Sequence, residues 1–356
     1  MILQNINLIN YRNYKELKIS FFKGINYFYG NNGAGKTNLV EAINFLSLCR
    51  SFKTNDLTTL IKTNETYAYI ASNIENDFKK DFIEIYLDKD GKKINIDKQH
   101  INKVSELSNF INTIVFTPKD VNLLKDSPSE RRLFLNLTIS KLSKEYQISL
   151  LNYNKILKSR NDLLKKDQID HDLLNVLTNQ LIEYSQIIYS YRKKYIEDIN
   201  TLISKIFAKI DNRNFSIKVI YKSFISNPDF KTIARLKYKE SLDLDILKKT
   251  TTIGVHKEDF IILLNNKNVG LYGSQGENRM TVLSLKLSSY YLKSEFNLKP
   301  IVILDDVLSE LDENHKYLLI EFLKNFDQVF ITGTSDKERI MHKYYVSNNN
   351  IELMEE

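Results

Sequence analysis

The chain has 356 residues, enough for about two domains that each bury a core without disulfide support. Its 51 Lys and Arg residues against 44 Asp and Glu residues give a formal net charge of +7, which is compatible with nucleic-acid binding but does not indicate it. The single cysteine, Cys49, excludes an internal disulfide framework and fits a reducing cytosol.

The N-terminal third of the chain has the alternating pattern of antiparallel strands. Residues 1–8 alternate in this way and lack the charged segment and the continuous apolar core of a signal peptide. Residues 67–74 and 83–87 alternate as well, and Asp90-Gly91 predicts the turn of a hairpin. No run in the sequence reaches the roughly 18 apolar residues of a membrane span, so we expect a cytoplasmic protein without a membrane segment.

A phosphate-binding loop lies between an aromatic-rich strand, residues 25–29, and a predicted helix, residues 38–48. It fits G-x-x-x-x-G-K-[ST] at every fixed position, in the strand-to-helix setting that this motif requires. The backbone N–H groups of such a loop face phosphates, Lys36 would reach the β- and γ-phosphates, and the Thr37 hydroxyl would bind Mg²⁺. The predicted nucleotide-binding residues are Gly30, Asn31, Asn32, Gly33, Ala34, Gly35, Lys36, Thr37 and Asn38.

The middle of the chain changes to a helical period. Ser127-Pro128-Ser129-Glu130 combines an N-cap serine, a proline at the first helical position and a glutamate three residues on, which predicts a capping box. Helix is expected to about residue 166 and again from 171 to about 210, where apolar residues recur every three to five positions as the packing face of a helical hairpin. Strands resume at about Ser216. The predicted domains are therefore a head of residues 1–122 and 216–356 and an inserted helical domain of residues 123–215.

A buried strand with two carboxylates at its end follows in the C-terminal part. Residues 301–304 are apolar and mostly β-branched, and Asp305 and Asp306 come directly after them. An ionised carboxylate at the end of such a strand is costly without a cation or donors, so we expect Asp305 to be the Mg²⁺ partner and Asp306 to orient the attacking water. A solvated acidic turn is the alternative, which the phosphate loop disfavours because it needs such a partner. Lys36, Asp305 and Asp306 are the predicted catalytic residues.

Two further motifs flank the acidic strand. Gly273-Ser274-Gln275-Gly276-Glu277 precedes an amphipathic segment, residues 278–296, and predicts a second anion site at a helix N-terminus. In an ABC-type arrangement, Ser274 and Gly276 would contact the γ-phosphate bound to a partner subunit. Ser309-Glu310-Leu311-Asp312 would then cross the dimer interface beside the nucleotide, with Asp312 among the binding residues. Taken alone, this last segment equally suits a helix cap.

With these motifs in this order, the chain resembles the RecF family of bacterial recombinational-repair ATPases, which are related to SMC proteins. One departure is clear, because the family's Gly-Pro-His-Arg-Asp-Asp stretch is Gly-Val-His-Lys-Glu-Asp at residues 254–259 here, and the lysine cannot form a bidentate guanidinium contact. The resemblance runs from end to end and is carried by Asn10-Tyr11-Arg12-Asn13-Tyr14, the phosphate loop through Ile43, Arg50-Ser51-Phe52-Lys53, Phe116-Thr117-Pro118-Lys119-Asp120, Ser127 to Arg132, Gly273 to Arg279 and Leu304 to Asp312.

The resemblance implies an α/β protein with an ABC/SMC-type phosphate-loop ATPase head assembled from both chain ends, an antiparallel β lobe and an inserted helical lid or arm. It implies a homodimer that forms around ATP and Mg²⁺, holds DNA at single-strand gaps and duplex junctions, and acts with RecO and RecR to help load RecA in DNA repair, replication restart and the SOS response. Weak, DNA-stimulated ATP hydrolysis would release the DNA. Asp306 stands where fast ABC ATPases usually have Glu, which is consistent with a slow rate.

The sequence leaves more than one interpretation open for the DNA-contacting residues and for the class of function. Arg50, Lys53, Arg131 and Arg132 are candidate phosphate contacts, although each equally suits a solvated or structural charge. We expect salt-sensitive DNA binding that involves the backbone more than the bases. An ABC subunit that drives a transporter and an SMC-like chromosome protein are the alternative functions. A nuclease is disfavoured because the sequence has no second His and Asp cluster at metal-ligand spacing.

Overall fold

The computed structural model describes residues 1–76, 79–225, 229–292 and 299–354. The chain divides into two compact units, and both chain ends belong to the first of them. The first unit comprises Met1–Asp120, Lys209–Asn212 and Phe296–Glu356, and the second comprises Val121–Ala208 and Arg213–Glu295.

Strands dominate the first unit and helices dominate the second. The strands are β1 (Ile2–Leu3), β2 (Asn5–Tyr11), β3 (Tyr14–Ser20), β4 (Gly24–Tyr29), β5 (Tyr67–Glu75), β6 (Lys80–Asp88), β7 (Gly91–Ile96), β8 (Gln99–Ile101), β9 (Thr113–Phe116), β10 (Ile217–Lys222), β11 (Asp259–Leu264), β12 (Lys267–Asn268), β13 (Ile301–Leu304), β14 (Gln328–Gly333), β15 (His342–Ser347) and β16 (Asn350–Met354). The helices are α1 (Lys36–Leu48), α2 (Pro128–Leu142), α3 (Lys144–Leu164), α4 (His171–Ile210), α5 (Phe230–Glu240), α6 (Leu242–Lys248), α7 (Val269–Tyr272), α8 (Gln275–Ser288) and α9 (Glu313–Leu323).

An antiparallel lobe forms the N-terminal part of the first unit. Its strands follow the order β3-β2-β5-β6-β7-β8, and β1 also pairs with β5. Alternate residues of β2, such as Ile6 and Leu8, are buried because successive side chains of a strand point to opposite faces. The predicted hairpin at Asp90-Gly91 joins β6 to β7, where Asp88 pairs with Gly91.

The second sheet of this unit brings the two ends of the chain together. Its order is β16-β15-β4-β14-β13-β9, and β4, β14, β13 and β9 run parallel. Every residue of β13 is buried, as expected for a parallel strand that is covered on both faces. Gln328 on β14 also links this sheet to the antiparallel lobe, because its side chain exchanges hydrogen bonds of 2.8 and 2.9 Å with the backbone of Leu3.

The second unit extends further along the chain than the predicted insertion, which ended at residue 215, because the segment after α4 bonds to the helices. Asn200 on α4 exchanges hydrogen bonds of 2.9 and 2.8 Å with the backbone of Val219 on β10. Arg160 on α3 forms a fully buried ion pair of 2.8 Å with Asp245 on α6. The division of the chain accordingly places residues 213–295 with the helices, rather than with the head.

Several local predictions need correction. The predicted capping box at Ser127 is not formed, because the Ser127 hydroxyl lies 2.5 Å from the Ser129 hydroxyl and caps no backbone N–H group, although Pro128 does open α2. The first long helix is interrupted at Ser143, whose side chain caps α3. The amphipathic segment predicted for residues 278–296 is helical through Ser288 and continues as a 3₁₀ turn to Tyr291, and residues 293–296 lie outside the described residues. None of the described helices combines the length and apolar character that crossing a bilayer requires.

Candidate nucleotide site

The phosphate loop leaves the carboxyl end of β4 and enters α1 at Lys36. Gly30, Gly33 and Gly35 all have positive φ, which L side chains rarely adopt. A Cβ at Gly30 would overlap the Val346 carbonyl, and one at Gly35 would stand 2.7 Å from the Tyr14 hydroxyl. Conformation therefore favours glycine at all three positions, and the lack of room for a side chain adds to this at Gly30 and Gly35, so the backbone of the loop is left uncovered.

Lys36 folds over this loop from the first position of α1. Its ammonium group donates hydrogen bonds of 2.7 and 2.8 Å to the carbonyls of Gly30 and Asn31. Burial lowers the pKa of Lys36, while the charges of Asp306 and Asp305 oppose that shift. The amino group of Lys36 thus lies beside the two aspartates, where it can reach a phosphate by exchanging its carbonyl partners.

Asp305 joins three separate parts of the chain at the end of β13. Its Oδ1 accepts hydrogen bonds from the hydroxyls of Thr37, at 2.9 Å, and Thr332, at 2.8 Å. The side chain of Asp305 is almost completely buried, and this burial raises the pKa of its carboxyl, while the two hydroxyls oppose the shift. The charge of Lys53 also opposes the shift, and both hydrogen-bond donors to the carboxylate are neutral hydroxyls, so a metal cation beside it would stabilise its charge further.

Asp306 has a backbone conformation that is uncommon for a residue other than glycine. Its φ is 51°, and its N–H group donates to the Thr332 hydroxyl over 2.9 Å. Its Oδ1 is buried and has no hydrogen-bond partner among the residues that the structure describes. Strained backbone held by neighbouring groups is frequent at functional sites, and the free oxygen is able to accept a hydrogen bond from a ligand or water.

A pocket of about 220 Å³ lies beside these groups. Lys53, which the sequence offered as a DNA contact, lines this pocket, and its ammonium donates a 2.8 Å hydrogen bond to the Asn38 side chain. Sequence reasoning also missed Thr332, because only the adjacency of β13 and β14 brings that hydroxyl to Asp305. The pocket is lined by Asn32, Gly33, Gly35, Lys36, Thr37, Asn38, Lys53, Asp306 and Thr332.

A buried ion pair fixes the segment that carries Lys53. Arg12 on the turn after β2 forms a bidentate pair with Glu41 of α1, with both N···O distances at 2.8 Å. Glu41 is fully buried and also accepts a hydrogen bond from Ser51. The Ser51 hydroxyl accepts hydrogen bonds from the backbone N–H groups of Lys53 and Thr54. The network thus connects the antiparallel lobe, α1 and the pocket wall.

Ser274 and Gly276 lie in the second unit, at the start of α8, whereas Asp312 lies in the first unit. Ser274 and Glu277 form a capping box, and residues 274–276 are exposed. Asp312 caps α9 through a 2.9 Å hydrogen bond from the backbone of His315, and its carboxylate is 65% exposed. The structure places the phosphate loop, Asp305 and Asp306 together. That Ser274, Gly276 and Asp312 contribute to the nucleotide of a partner subunit stays a prediction.

The basic candidates for DNA contact differ in their surroundings. Arg131 forms a bidentate ion pair with Asp259, with N···O distances of 2.7 and 2.9 Å, and is largely buried. This pair gives Arg131 a structural role within the second unit. Arg132 is partly buried and donates to the Glu258 carbonyl, whereas Arg50 is exposed.

His256 lies in the segment that departs from the family pattern. Its Nε2 is 3.0 Å from the Thr251 carbonyl and must donate, so its Nδ1 accepts the 2.6 Å hydrogen bond from the Tyr153 hydroxyl. Burial lowers the pKa of His256 to about 4, and the positive charges of Lys257 and Arg132 lower it further. The ring is therefore neutral and structural at neutral pH.

Comparison with known proteins gives matches along the whole chain. A family profile described as RecF/RecN/SMC N terminal domain matches residues 2–352. The DNA replication and repair protein RecF of Thermoanaerobacter sp. is 38% identical over 365 residues and covers 100% of both chains. Its namesake from Clostridium tetani is 39% identical, over 94% of this chain and 93% of that protein.

Solved structures also match along almost the whole chain. One described as the recombination mediator protein RecF-ATP in the RecFOR pathway superimposes with a TM-score of 0.90 at 34% identity, covering 99% of this chain and 97% of that chain. The Smc head domain of Pyrococcus furiosus bound to the C-terminal domain of ScpA has a TM-score of 0.58 at 18% identity, covering 99% of this chain and 95% of that chain. This second match shows the fold alone, and it confirms the predicted ABC/SMC-type architecture.

The neutral His256 predicts a pH dependence of stability. Because its folded pKa of about 4 lies below the ordinary 6.5, the stabilisation is complete above about pH 6.5 and is lost as the pH falls toward 4, by about 3 kcal/mol in all. We expect the difference in unfolding free energy between the wild type and His256→Gln to shrink over this range in urea titrations followed by circular dichroism. The exposed His100→Gln variant is the control and should leave the pH profile unchanged. A constant difference between wild type and His256→Gln would contradict the assignment.

Proposed function

The chain belongs to the RecF family of DNA replication and repair proteins, as its motifs indicated, and we propose that it is an ATP-dependent DNA-binding protein of recombinational repair and replication restart. It binds ATP with Mg²⁺, dimerises in response, and holds DNA at single-strand gaps and duplex junctions. It then helps RecO and RecR to load RecA, and slow ATP hydrolysis releases it. Its likeness to a structure described as part of the RecFOR pathway supports the two partners.

The observation that carries the proposal is the contact of Asp305 with both Thr37 and Thr332. A hydroxyl at the start of the helix after the phosphate loop and a carboxylate at the end of a parallel strand are the two protein groups with which phosphate-loop enzymes hold Mg²⁺. Their oxygens lie 2.9 Å apart, and both are hard ligands of the type that Mg²⁺ prefers. When held there by the Thr37 hydroxyl and the Asp305 carboxylate, Mg²⁺ would supply positive charge that neutralises the phosphates of ATP.

Three residues are assigned to the hydrolysis of ATP. Lys36 would exchange its carbonyl partners for the phosphate oxygens, which keeps its charge compensated in the buried site. Asp305 would hold the metal through its buried carboxylate. Asp306 would orient the attacking water with its unpartnered Oδ1, because a carboxylate oxygen accepts a hydrogen bond from water and fixes its direction.

The ATP-dependent dimer is assigned to exposed groups at two helix starts. The backbone N–H groups at the start of α8 and the hydroxyl of Ser274 suit a phosphate that another chain presents. Leu271 and Tyr272, which precede this serine, are each 74% exposed, and apolar side chains of this size favour burial in an interface. Asp312 is exposed at the start of α9, and its carboxylate would lie at the dimer interface beside the bound nucleotide.

DNA binding supplies the test of the proposed function. The fluorescence anisotropy of a labelled gapped duplex should rise with protein in ATP and Mg²⁺, and much less with ADP or without nucleotide. The affinity should fall steeply as salt increases, because phosphate contacts release counterions. The Lys36→Ala variant is the control, since it should remove the response to ATP. Equal binding under all three nucleotide conditions would show that ATP does not control DNA binding, and would give weight to a transporter-driving ABC subunit instead.

The dimer assignment predicts that Ser274→Arg separates two activities. The larger cation should block ATP-dependent dimerisation in sedimentation measurements while each chain still binds ATP, because the serine serves the partner's nucleotide. Ser190→Arg, on an exposed position of α4, is the matched control and should dimerise normally. If Ser274→Arg instead loses ATP binding as a monomer, Ser274 belongs to the site of its own chain.

The short side chain of Asp306 predicts slow hydrolysis. Glutamate is one methylene longer and should hold the water closer to the γ-phosphate, so Asp306→Glu should raise the rate of phosphate release with bound DNA by about tenfold. ATP affinity should change little, and it is measured in parallel. Unchanged turnover in this variant would remove the support for Asp306 as the group that limits the rate.

A further inference from the structure

A second polar pocket lies within the helical unit and has no part in the proposed ATP site. It has a volume of about 240 Å³, and its walls come from α2, α3, α4 and the turn at residues 255–257. Among the residues that the structure describes, none of those lining it is Asp or Glu. The lining residues with polar groups are Ser129, Arg132, Asn136, Tyr153, Asn154, Arg192 and His256.

The charges around this pocket do not balance. Arg192 is fully buried and pairs with Glu258 at 2.9 Å, and Arg131 holds both oxygens of Asp259. Arg132 is the arginine that no carboxylate pairs with, and its only hydrogen bond in the described part of the chain goes to the Glu258 carbonyl, at 3.0 Å. These three arginines and two carboxylates leave one positive charge in excess, on the arginine that lines the pocket, and the exposed Lys257 on the adjoining turn adds a further positive charge.

Other polar side chains around the pocket have hydrogen-bond donors that are available to a ligand. The Asn136 Oδ1 accepts from Arg192, at 2.9 Å, and from the Tyr146 hydroxyl, at 2.8 Å, which orients the amide. Its NH₂ group is therefore left for a ligand, because no hydrogen bond of this group occurs within the described residues. Asn154 is exposed and lines the pocket. Ser129 lies on the first turn of α2, where its hydroxyl can donate to a ligand while it accepts from the Ser127 hydroxyl at 2.5 Å.

His256 does not contribute a hydrogen-bond donor or a charge to the pocket. Both of its ring nitrogens are occupied, one by the Thr251 carbonyl and the other by the Tyr153 hydroxyl. Gly254 keeps this turn close to α3 and α5, since a Cβ there would stand 2.8 Å from the Tyr153 hydroxyl and 2.6 Å from the Tyr238 hydroxyl. The turn is thus a fixed wall of the pocket, and the excess charge of Arg132 is a permanent property of it.

We propose that this pocket binds a phosphomonoester group, with Arg132 as its counter-charge and Ser129, Asn136 and Asn154 as further donors. Arg132 is a partly buried cation whose one hydrogen bond within the described residues goes to a carbonyl, and an anion that accepts its other hydrogen bonds would stabilise it. The donors come from two helices, α2 and α3, and the tetrahedral oxygens of phosphate accept hydrogen bonds in more directions than a planar carboxylate does. A nucleotide and the phosphorylated end of a nucleic acid both carry this group.

The test uses the full chain with Lys36→Ala, so that the phosphate loop does not contribute to binding. Titration calorimetry with inorganic phosphate, a nucleoside monophosphate, and a 5′-phosphorylated oligonucleotide beside its unphosphorylated form should reveal a site. Adding Arg132→Gln should weaken it by about tenfold or more, whereas Arg132→Lys should retain part of the affinity. Arg235→Gln, an exposed arginine of the same unit, is the matched control and should bind like the parent.

The outcomes separate the two sources and the alternatives. Binding of all phosphomonoesters supports a site for a small phosphate ligand, and binding of the phosphorylated oligonucleotide alone supports a nucleic-acid end. The proposal is overturned if the parent binds none of them, if Arg132→Gln with an unchanged circular dichroism spectrum binds as well as the parent, or if acetate displaces phosphate at equal concentration. ATP binding by Arg132→Gln in the otherwise wild-type chain should be normal, so failure here is distinct from failure of the proposed ATP-dependent function.

Discussion

A buried carboxylate between two threonine hydroxyls is the constraint on which the arrangement of the first unit depends. Asp305 accepts from Thr37 and Thr332, residues separated from it by 268 and 27 positions. These contacts require β13 and β14 to be neighbours and the phosphate loop to stand at the carboxyl edge of the same parallel sheet. Because an isolated buried carboxylate is costly, the three segments are most stable together and with a cation beside them. The order of these strands and the proposed role of Asp305 as the Mg²⁺ partner both rest on these contacts.

The parts of the site that were predictable are those whose chemistry is local in sequence. The glycines of residues 30–35, followed by Lys36 and Thr37, define a backbone conformation and a charge within a few positions, and the apolar strand before Asp305 defines burial. Thr332 and Lys53 have no such local signature. They reach the pocket through strand adjacency in one case and through the network of Arg12, Glu41 and Ser51 in the other, and neither is visible in a sequence pattern.

The corrections have physical causes of the same kind. Ser127 has the sequence context of a helix cap, yet its hydroxyl bonds to the Ser129 hydroxyl. A neighbouring side chain can thus replace the backbone N–H group as the hydrogen-bond partner of an N-cap serine. The predicted boundary at residue 215 follows a change of period, whereas the division of the chain follows long-range bonds such as Arg160 with Asp245. Arg131 and Arg132 are adjacent in sequence and differ in role, since the carboxylate of Asp259 satisfies only the first.

The central claim is that Asp305 and the phosphate loop form one ATP site that operates with Mg²⁺. Its most direct test is the ATP affinity of the wild type and of Asp305→Asn, each measured by equilibrium binding with Mg²⁺ and with a chelator. We expect Mg²⁺ to strengthen ATP binding by the wild type, and Asp305→Asn to lose most of this gain while binding ATP at least as well as the wild type in chelator. An equal gain from Mg²⁺ in both proteins would contradict the central claim, because the carboxylate would then have no part in holding the metal.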